Sequence, residues 1–207
     1  MNKIDMYMPF LGFQHCVPNT NGQIWFLWSG NYQIGVIDNN VQQLTIKIHY
    51  NHANYDIYLT VFYAKCTATE RRDLWSNLEN IHTQIKGPWY IRGDFNIILD
   101  PDEKKGGNPH RMHRSFEFSS CMDNCEVADF GFVSPKFTWY NNWKARKRIW
   151  KKLDRVFVND LWSQIFQSNM VRHLARTGSD HRPLLIKCQK YLQACIKYFK
   201  FLDFWAE

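Results

Sequence analysis

The chain has 207 residues, with 26 Lys and Arg against 19 Asp and Glu, a formal charge of +7. That length suits one fairly large domain with a real core, and 45% apolar residues, with nine Trp and fifteen Phe, exclude an intrinsically disordered chain. The basic excess favours a polyanionic partner, nucleic acid or an anionic membrane surface.

The first half reads as β-rich. Gln23 to Trp28 and Gln33 to Ile37 are short strands, and Asn39-Asn40 supplies a turn before Val41. Leu44, Ile46 and Ile48 then alternate with Thr45, Lys47 and His49, the period of a strand with one buried face, and Ile57, Leu59, Val61 and Tyr63 repeat it. Leu74, Leu78, Ile81 and Ile85 share one helical face, with Thr67 or Thr69 as N-cap and Gly87-Pro88 as the stop. Trp89-Tyr90-Ile91 begins a strand that runs into Gly93-Asp94.

Pro101 to Pro109 reads as a charged, glycine-rich surface loop and Arg111 to Asn124 as a helix presenting Met112 and Phe116 on one side. Strands follow at Phe137 to Tyr140 and Ile149 to Val158, a short helix capped by Asp160 through Phe166, then strands at Val171 to Arg176 and Leu184 to Cys188. Nothing repeats at a fixed period and no long linker divides the chain, so residues 1–190 read as one mixed α/β domain. Residues 191–207 turn aromatic and basic, the composition of a connector towards a downstream region.

No run approaches the roughly eighteen apolar residues that span a bilayer, and the N-terminus lacks a leader pattern, so the expectation is an intracellular monomer without a membrane partner. The six cysteines, Cys16, Cys66, Cys121, Cys125, Cys188 and Cys195, read as buried thiols of a reducing compartment. His110, His113, Cys121 and Cys125 match none of the common zinc spacings and read as helix and loop residues.

Three short motifs carry chemistry: Gly93-Asp94-Phe95-Asn96, Leu153-Asp154-Arg155 and Ser179-Asp180-His181. Each lies where a predicted strand runs into a loop, from which carboxylates and an imidazole can converge on a metal and a phosphate. Asp94 and Asn96, two apart, project the same way if the strand continues through them. His181 has a neighbour in Asp180 and an orienting partner in Asp154, whose carboxylate can favour the cationic form against developing negative charge. Read alone, Gly93-Asp94 is equally a turn, Asp154-Arg155 an internal salt bridge and Asp180-His181 a structural pair; their joint occurrence in a basic chain points to phosphodiester chemistry.

The set Trp89 to Asn96, Phe137-Thr138-Trp139, Lys152 to Arg155 and Ser179 to Pro183 strongly resembles the endonuclease/exonuclease/phosphatase superfamily. It is most similar to the apurinic/apyrimidinic-type endonuclease domain of plant non-LTR retrotransposons, from about Leu11 to Trp205. The resemblance implies a four-layer α/β sandwich, two packed and mostly antiparallel sheets flanked by helices, with the site at one rim. It implies Asp94 as the residue that orients or deprotonates water, Asn96 on phosphate or metal, Asp154 orienting His181, and Tyr63 near the leaving group. Asp180 and Asp94 would bind Mg²⁺, with Mn²⁺ a substitute.

Thr138 and Trp139 would shape the site or a DNA-facing rim. Lys144, Arg146, Lys147 and Arg148, in a basic run to Lys152 with Trp143 and Trp150 interleaved, suit DNA phosphate contact, though a merely solvated hairpin reads similarly. Members begin with an Asn-bearing strand and a strand ending in the principal metal-binding Glu, and neither is found before Leu11. The resemblance therefore implies an N-terminally truncated fold lacking one or two strands, with weakened metal affinity and turnover.

The implied function is a divalent-metal-dependent DNA endonuclease that nicks target DNA for reverse transcription, nuclear when its parent element is active and with a reverse transcriptase domain as partner. The alternatives are an impaired retroelement relic that at most binds nucleic acid, or a phosphatase or phospholipid phosphodiesterase of the same superfamily.

Overall fold

A computed structural model describes residues 3–49 and 55–189. The elements are α1 (Lys3–Leu11), β1 (His15–Pro18), β2 (Trp25–Trp28), β3 (Gln33–Asn39), β4 (Gln43–His49), β5 (Asp56–Tyr63), α2 (Ala68–His82) and β6 (Trp89–Asp94). They continue with β7 (Lys104–Lys105), α3 (Phe116–Asn124), β8 (Val127–Asp129), β9 (Trp139–Tyr140), β10 (Trp150–Lys151), β11 (Asp154–Asn159), α4 (Asp160–Ile165), β12 (Ser168–His173) and β13 (Leu184–Gln189). The expected connector at 191–207 and Cys195 lie outside the described residues.

The central sheet has six strands in the order β3-β4-β5-β6-β11-β8. All its pairings are antiparallel except β5 with β6, which run parallel because α2 carries the chain back across the sheet. Side chains alternate faces. Trp89 and Ile91 of β6 and Phe157 of β11 point towards α2 and α3, where Leu74, Leu78, Phe95 and Phe118 complete one core. Tyr90, Val156 and Val158 point the other way and pack with Trp162 and the β12–β13 hairpin. Leu44 and Ile46 lie on a third cluster with Ile24, against the β1–β2 hairpin.

The second sheet is divided among the described residues into two hairpins, β1–β2 and β12–β13. With helices on one side and hairpins on the other, β4 is covered on both faces, not the one its alternation predicts. Thr45 is fully buried, shares a 2.9 Å hydrogen bond with Thr60, and Thr60 Oγ1 accepts from the Trp89 indole at 2.9 Å. Hydrogen bonding makes that burial tolerable.

Several local expectations change. Thr67 caps α2, its hydroxyl accepting from the Glu70 amide at 3.4 Å. Asn159, not Asp160, caps α4, its side-chain oxygen accepting from the Trp162 amide at 3.0 Å. The long strand expected from Ile149 to Val158 breaks at Lys152-Leu153 into β10 and β11. The loop from Pro101 to Pro109 contains a 3-10 turn, Pro101–Glu103, and the edge strand β7, and the helix expected from Arg111 opens with a 3-10 turn at Met112–Ser115. Helix α1 and strand β1 were not expected at all. Cys121 and Cys125 are buried, but Cys16 and Cys188 are half-buried and Cys66 is exposed, against the expectation for all six.

Candidate active site

The register of the central sheet builds the site. Tyr63, the last residue of β5, lies opposite Asp94, the last of β6, and Asp94 lies opposite Asp154, the first of β11. Three adjacent strands thus end in a row, one candidate side chain each. Gly93 allows this closeness, since a Cβ there would stand 2.0 Å from the Phe62 carbonyl oxygen. Any side chain would force β6 away from β5 and Asp94 out of line with Tyr63.

His181 arrives from the loop between β12 and β13. Its Nδ1 stands 2.9 Å from Asp154 Oδ2 and its Nε2 3.8 Å from Asp94 Oδ2. Asp94, Asp154 and His181 offer ligand atoms within 4.8 Å of one another, and among the described residues they form the one cluster of this kind. His110, His113, Cys121 and Cys125 form none, and His110 instead bonds Ser115 Oγ at 2.7 Å.

The loop carrying His181 is fastened to the β9–β10 hairpin. Trp139 and His181 form an isolated bridge, the Tyr140 amide donates to the Asp180 carbonyl at 3.2 Å, and the Arg182 amide donates to the Thr138 carbonyl at 2.8 Å. Thr138 then reaches the other carboxylate strand. Its fully buried hydroxyl accepts from the amides of Leu153 at 2.9 Å and Asp154 at 3.0 Å. Thr138 therefore has no surface to offer DNA, contrary to one expectation, and acts by positioning Asp154. Trp139 is half-buried, and its indole donates to Asp180 Oδ2 at 2.8 Å.

Asn96 departs from expectation. The strand ends at Asp94, and Asn96 sits at φ 49, left-handed backbone that Asn tolerates better than most residues. Its amide nitrogen donates to the Ala64 carbonyl at 2.7 Å and its backbone amide to Asp94 Oδ1 at 2.9 Å. It therefore does not project beside Asp94; it clamps the turn and orients that carboxylate. Asp180 is exposed and outside the tight cluster, yet its charge acts on Asp94, Tyr63 and His181.

Burial, followed by the Asp154 charge, raises the Asp94 pKa to about 6. Burial opposes a charged His181, but the hydrogen bond and charge of Asp154, with Asp94 and Asp180, outweigh it and hold the pKa above the usual imidazole value. Burial and the charge of Asp94 push the Tyr63 phenol up, so it stays a hydroxyl donor. A carboxylate able to take a proton, an imidazole biased towards its cation and a protonated phenol thus share one rim. The buried Asp94 carboxylate beside the half-buried one of Asp154 also suits a hard divalent ion, which takes oxygen ligands and few protein side chains.

Arg155 takes the structural alternative. Pointing to the opposite face from Asp154, it meets Glu103 and, at 2.9 Å, Asp129, while Lys152 reaches Asp129 at 2.7 Å. This two-by-two ion network, buried except at Asp129, ties β11 to β8 and the 3-10 turn, and it removes Lys152 from the DNA-facing run. Lys144, Arg146, Lys147 and Arg148 are exposed on the β9–β10 hairpin, which is joined to the His181 loop. Asn141 shapes that hairpin, donating to the Lys147 carbonyl at 2.9 Å and accepting from the Ile149 amide at 3.0 Å. Arg176 lies 4.7 Å from the Tyr140 ring centroid and 5.0 Å from that of Trp150, cation–π contacts that sequence spacing gave no sign of.

A sequence model described as "Endonuclease/Exonuclease/phosphatase family" matches residues 17–181. The chain belongs to the endonuclease/exonuclease/phosphatase family. Its fold matches the endonuclease domain of TRAS1, a telomere-specific non-LTR retrotransposon, with a TM-score of 0.66 at 12% identity over 87% of this chain and 81% of that one. It also matches the 3′ phosphatase NExo from Neisseria bound to a product DNA hairpin, with a TM-score of 0.59 at 14% identity over 89% and 82%. Human Nocturnin's catalytic domain gives 0.50 at 16% over 91% and 75%. No curated protein matches the sequence. Members of the family generally depend on a divalent metal. Among the described residues, no helix is long and apolar enough to cross a membrane.

Proposed function

We propose that this protein is a divalent-cation-dependent DNA endonuclease of the retrotransposon type, which nicks a target strand. The observation that carries this reading is the convergence of Asp94, Asp154 and His181 at the end of three strands, with the exposed basic hairpin joined to the same loop. Asp94, with Asp180 at the rim, would hold Mg²⁺ or Mn²⁺, which supplies positive charge to a phosphate oxygen when bound.

The chain's own groups do the rest. Asp94 takes a proton from water, the resulting hydroxide attacks phosphorus, and the bond to the leaving oxygen breaks. Asp154 holds His181 by Nδ1 so that Nε2–H faces the phosphate and stabilises its added charge. Tyr63, kept protonated by its surroundings, gives its proton to the leaving oxygen. The hairpin cations Lys144, Arg146, Lys147 and Arg148 hold the flanking duplex through its backbone.

Nicking of supercoiled plasmid tests this directly. Wild type converts it to open circles with Mg²⁺ and not with EDTA, while Asp94→Ala and His181→Ala lose about 10²-fold or more in rate. Equal inactivity of all three with retained DNA binding would establish the relic reading instead.

A further inference from the structure

A cleft of about 230 Å³ opens beside the site, with Asn96 and Leu153, near neighbours of Asp94 and Asp154, in its wall. Its lining includes Arg71, Lys104, His110, Arg114 and Lys151, and no Asp or Glu. Sequence scatters these five over eighty residues; the fold collects them.

The cations are set in place before any ligand arrives. Arg71 is buried, and its Nη1 donates to the carbonyls of Lys65 at 2.9 Å and Cys66 at 2.8 Å. Its Nε is buried without a partner, a costly state for a charged donor. Lys104 is held by the Asn108 carbonyl. Lys151 lies 5.3 Å from the Trp139 ring, the same indole that binds Asp180. Burial and the charge of Lys104 weaken the protonated form of Lys151, so the cleft concentrates mutually repelling cations, and burial with Lys104, Arg114 and Lys151 favours the neutral form of His110 beside them. Gly106, just beyond β7, lets the chain carrying Lys104 pass close to the β9–β10 hairpin, since a Cβ there would stand 2.3 Å from the Arg148 carbonyl oxygen.

A stable protein keeps such a group together when an anion relieves the repulsion. We propose that this cleft is a second phosphate subsite, which takes a phosphate group of the nucleic acid other than the one attacked at Asp94 and His181. The proposal rests on the reading of the protein as a DNA-acting phosphodiesterase. A neighbouring internal phosphodiester and a terminal phosphomonoester share the required chemistry.

The test is fluorescence anisotropy of a labelled duplex in EDTA, which reads binding without turnover, over a salt series. Two probes of one sequence are used, one with hydroxyl ends and one with a 5′-phosphate. Lys151→Gln and Arg114→Gln, at partly or fully exposed positions that fold safely, each weaken binding by about 5–10-fold near 0.1 M salt and lower the log–log salt slope by about one, whereas Lys151→Arg binds as wild type does. Loss on both probes assigns the cleft to an internal phosphate; loss on the phosphorylated probe alone assigns it to a terminal one. Unchanged affinity and slope in both Gln variants, or no binding of either probe by wild type, would overturn the subsite. Plasmid nicking reads separately: slopes that fall without nicking keep the subsite and remove the nuclease, and nicking with unmoved slopes does the reverse.

Discussion

Removing the Thr138 hydroxyl tests how the site is held together. Thr138→Val keeps the shape of a fully buried side chain but deletes the oxygen that accepts from the Leu153 and Asp154 amides at 2.9 and 3.0 Å. Each abandoned donor costs roughly 1–3 kcal/mol, and the Asp154 amide, only partly buried, sits at the low end, so about 2–5 kcal/mol of stability is lost. With a urea dependence of about 2–3 kcal/mol per molar, the midpoint falls by roughly 1–2 M. Thr138→Ser keeps the acceptor and loses one methyl, so its midpoint moves by less than about 0.5 M. Nicking should follow the same order, because β11 begins at Asp154 and a loosened start displaces the carboxylate that holds His181. Urea unfolding followed by tryptophan fluorescence, with plasmid nicking alongside, reads both. A Val variant that unfolds with wild type, or one as active as the Ser variant, would refute the claim that this hydroxyl positions the site.

The nicking rate should decline only above the ordinary imidazole range, as His181 loses its proton, and an NMR titration of the metal-free protein should show Asp94 giving up its own near pH 6. Asp154→Asn removes the charge that supports cationic His181, so the alkaline limb of a pH–rate profile moves to lower pH and the maximal rate falls by about 10²-fold or more; an unmoved limb would separate Asp154 from the imidazole. Arg155→Met leaves Glu103 and Asp129 facing only Lys152, and calorimetry should show a loss of about 3–5 kcal/mol. Gly93→Ala places a methyl carbon 2.0 Å from the Phe62 carbonyl in the absence of movement, so β6 shifts and soluble yield drops sharply; wild-type yield and activity would contradict the close packing seen there.

The site was largely legible because its register is local in each strand. Asp94, Asp154 and His181 each lie beside a recognisable strand end, and hydrophobic alternation placed those ends well enough for three distant motifs to be read as one. The alternating facing of Asp154 and Arg155 also separates their roles, one into the site and one into the ion network. Asn96 was misplaced because its expected projection assumed a continuing strand, whereas its left-handed backbone turns the chain. Thr138 is expected at the rim but lies fully buried, because burial depends on what packs above a residue, which spacing does not encode. Strand β7 holds only two residues, too few to show a period, and so lies hidden in what reads as a charged loop. The cationic cleft needed tertiary structure for the same reason: its four cations and His110 share no element and no spacing.

The account turns on Asp94 and His181 working as one unit on a single phosphate. A double-mutant cycle of Asp94→Ala and His181→Ala in Mg²⁺-supported plasmid nicking tests it most directly, because groups that act together lose little more when both are gone than when one is. The predicted result is a double variant within about threefold of the slower single variant. Losses that multiply, or a wild-type rate no faster than the double variant, would contradict it.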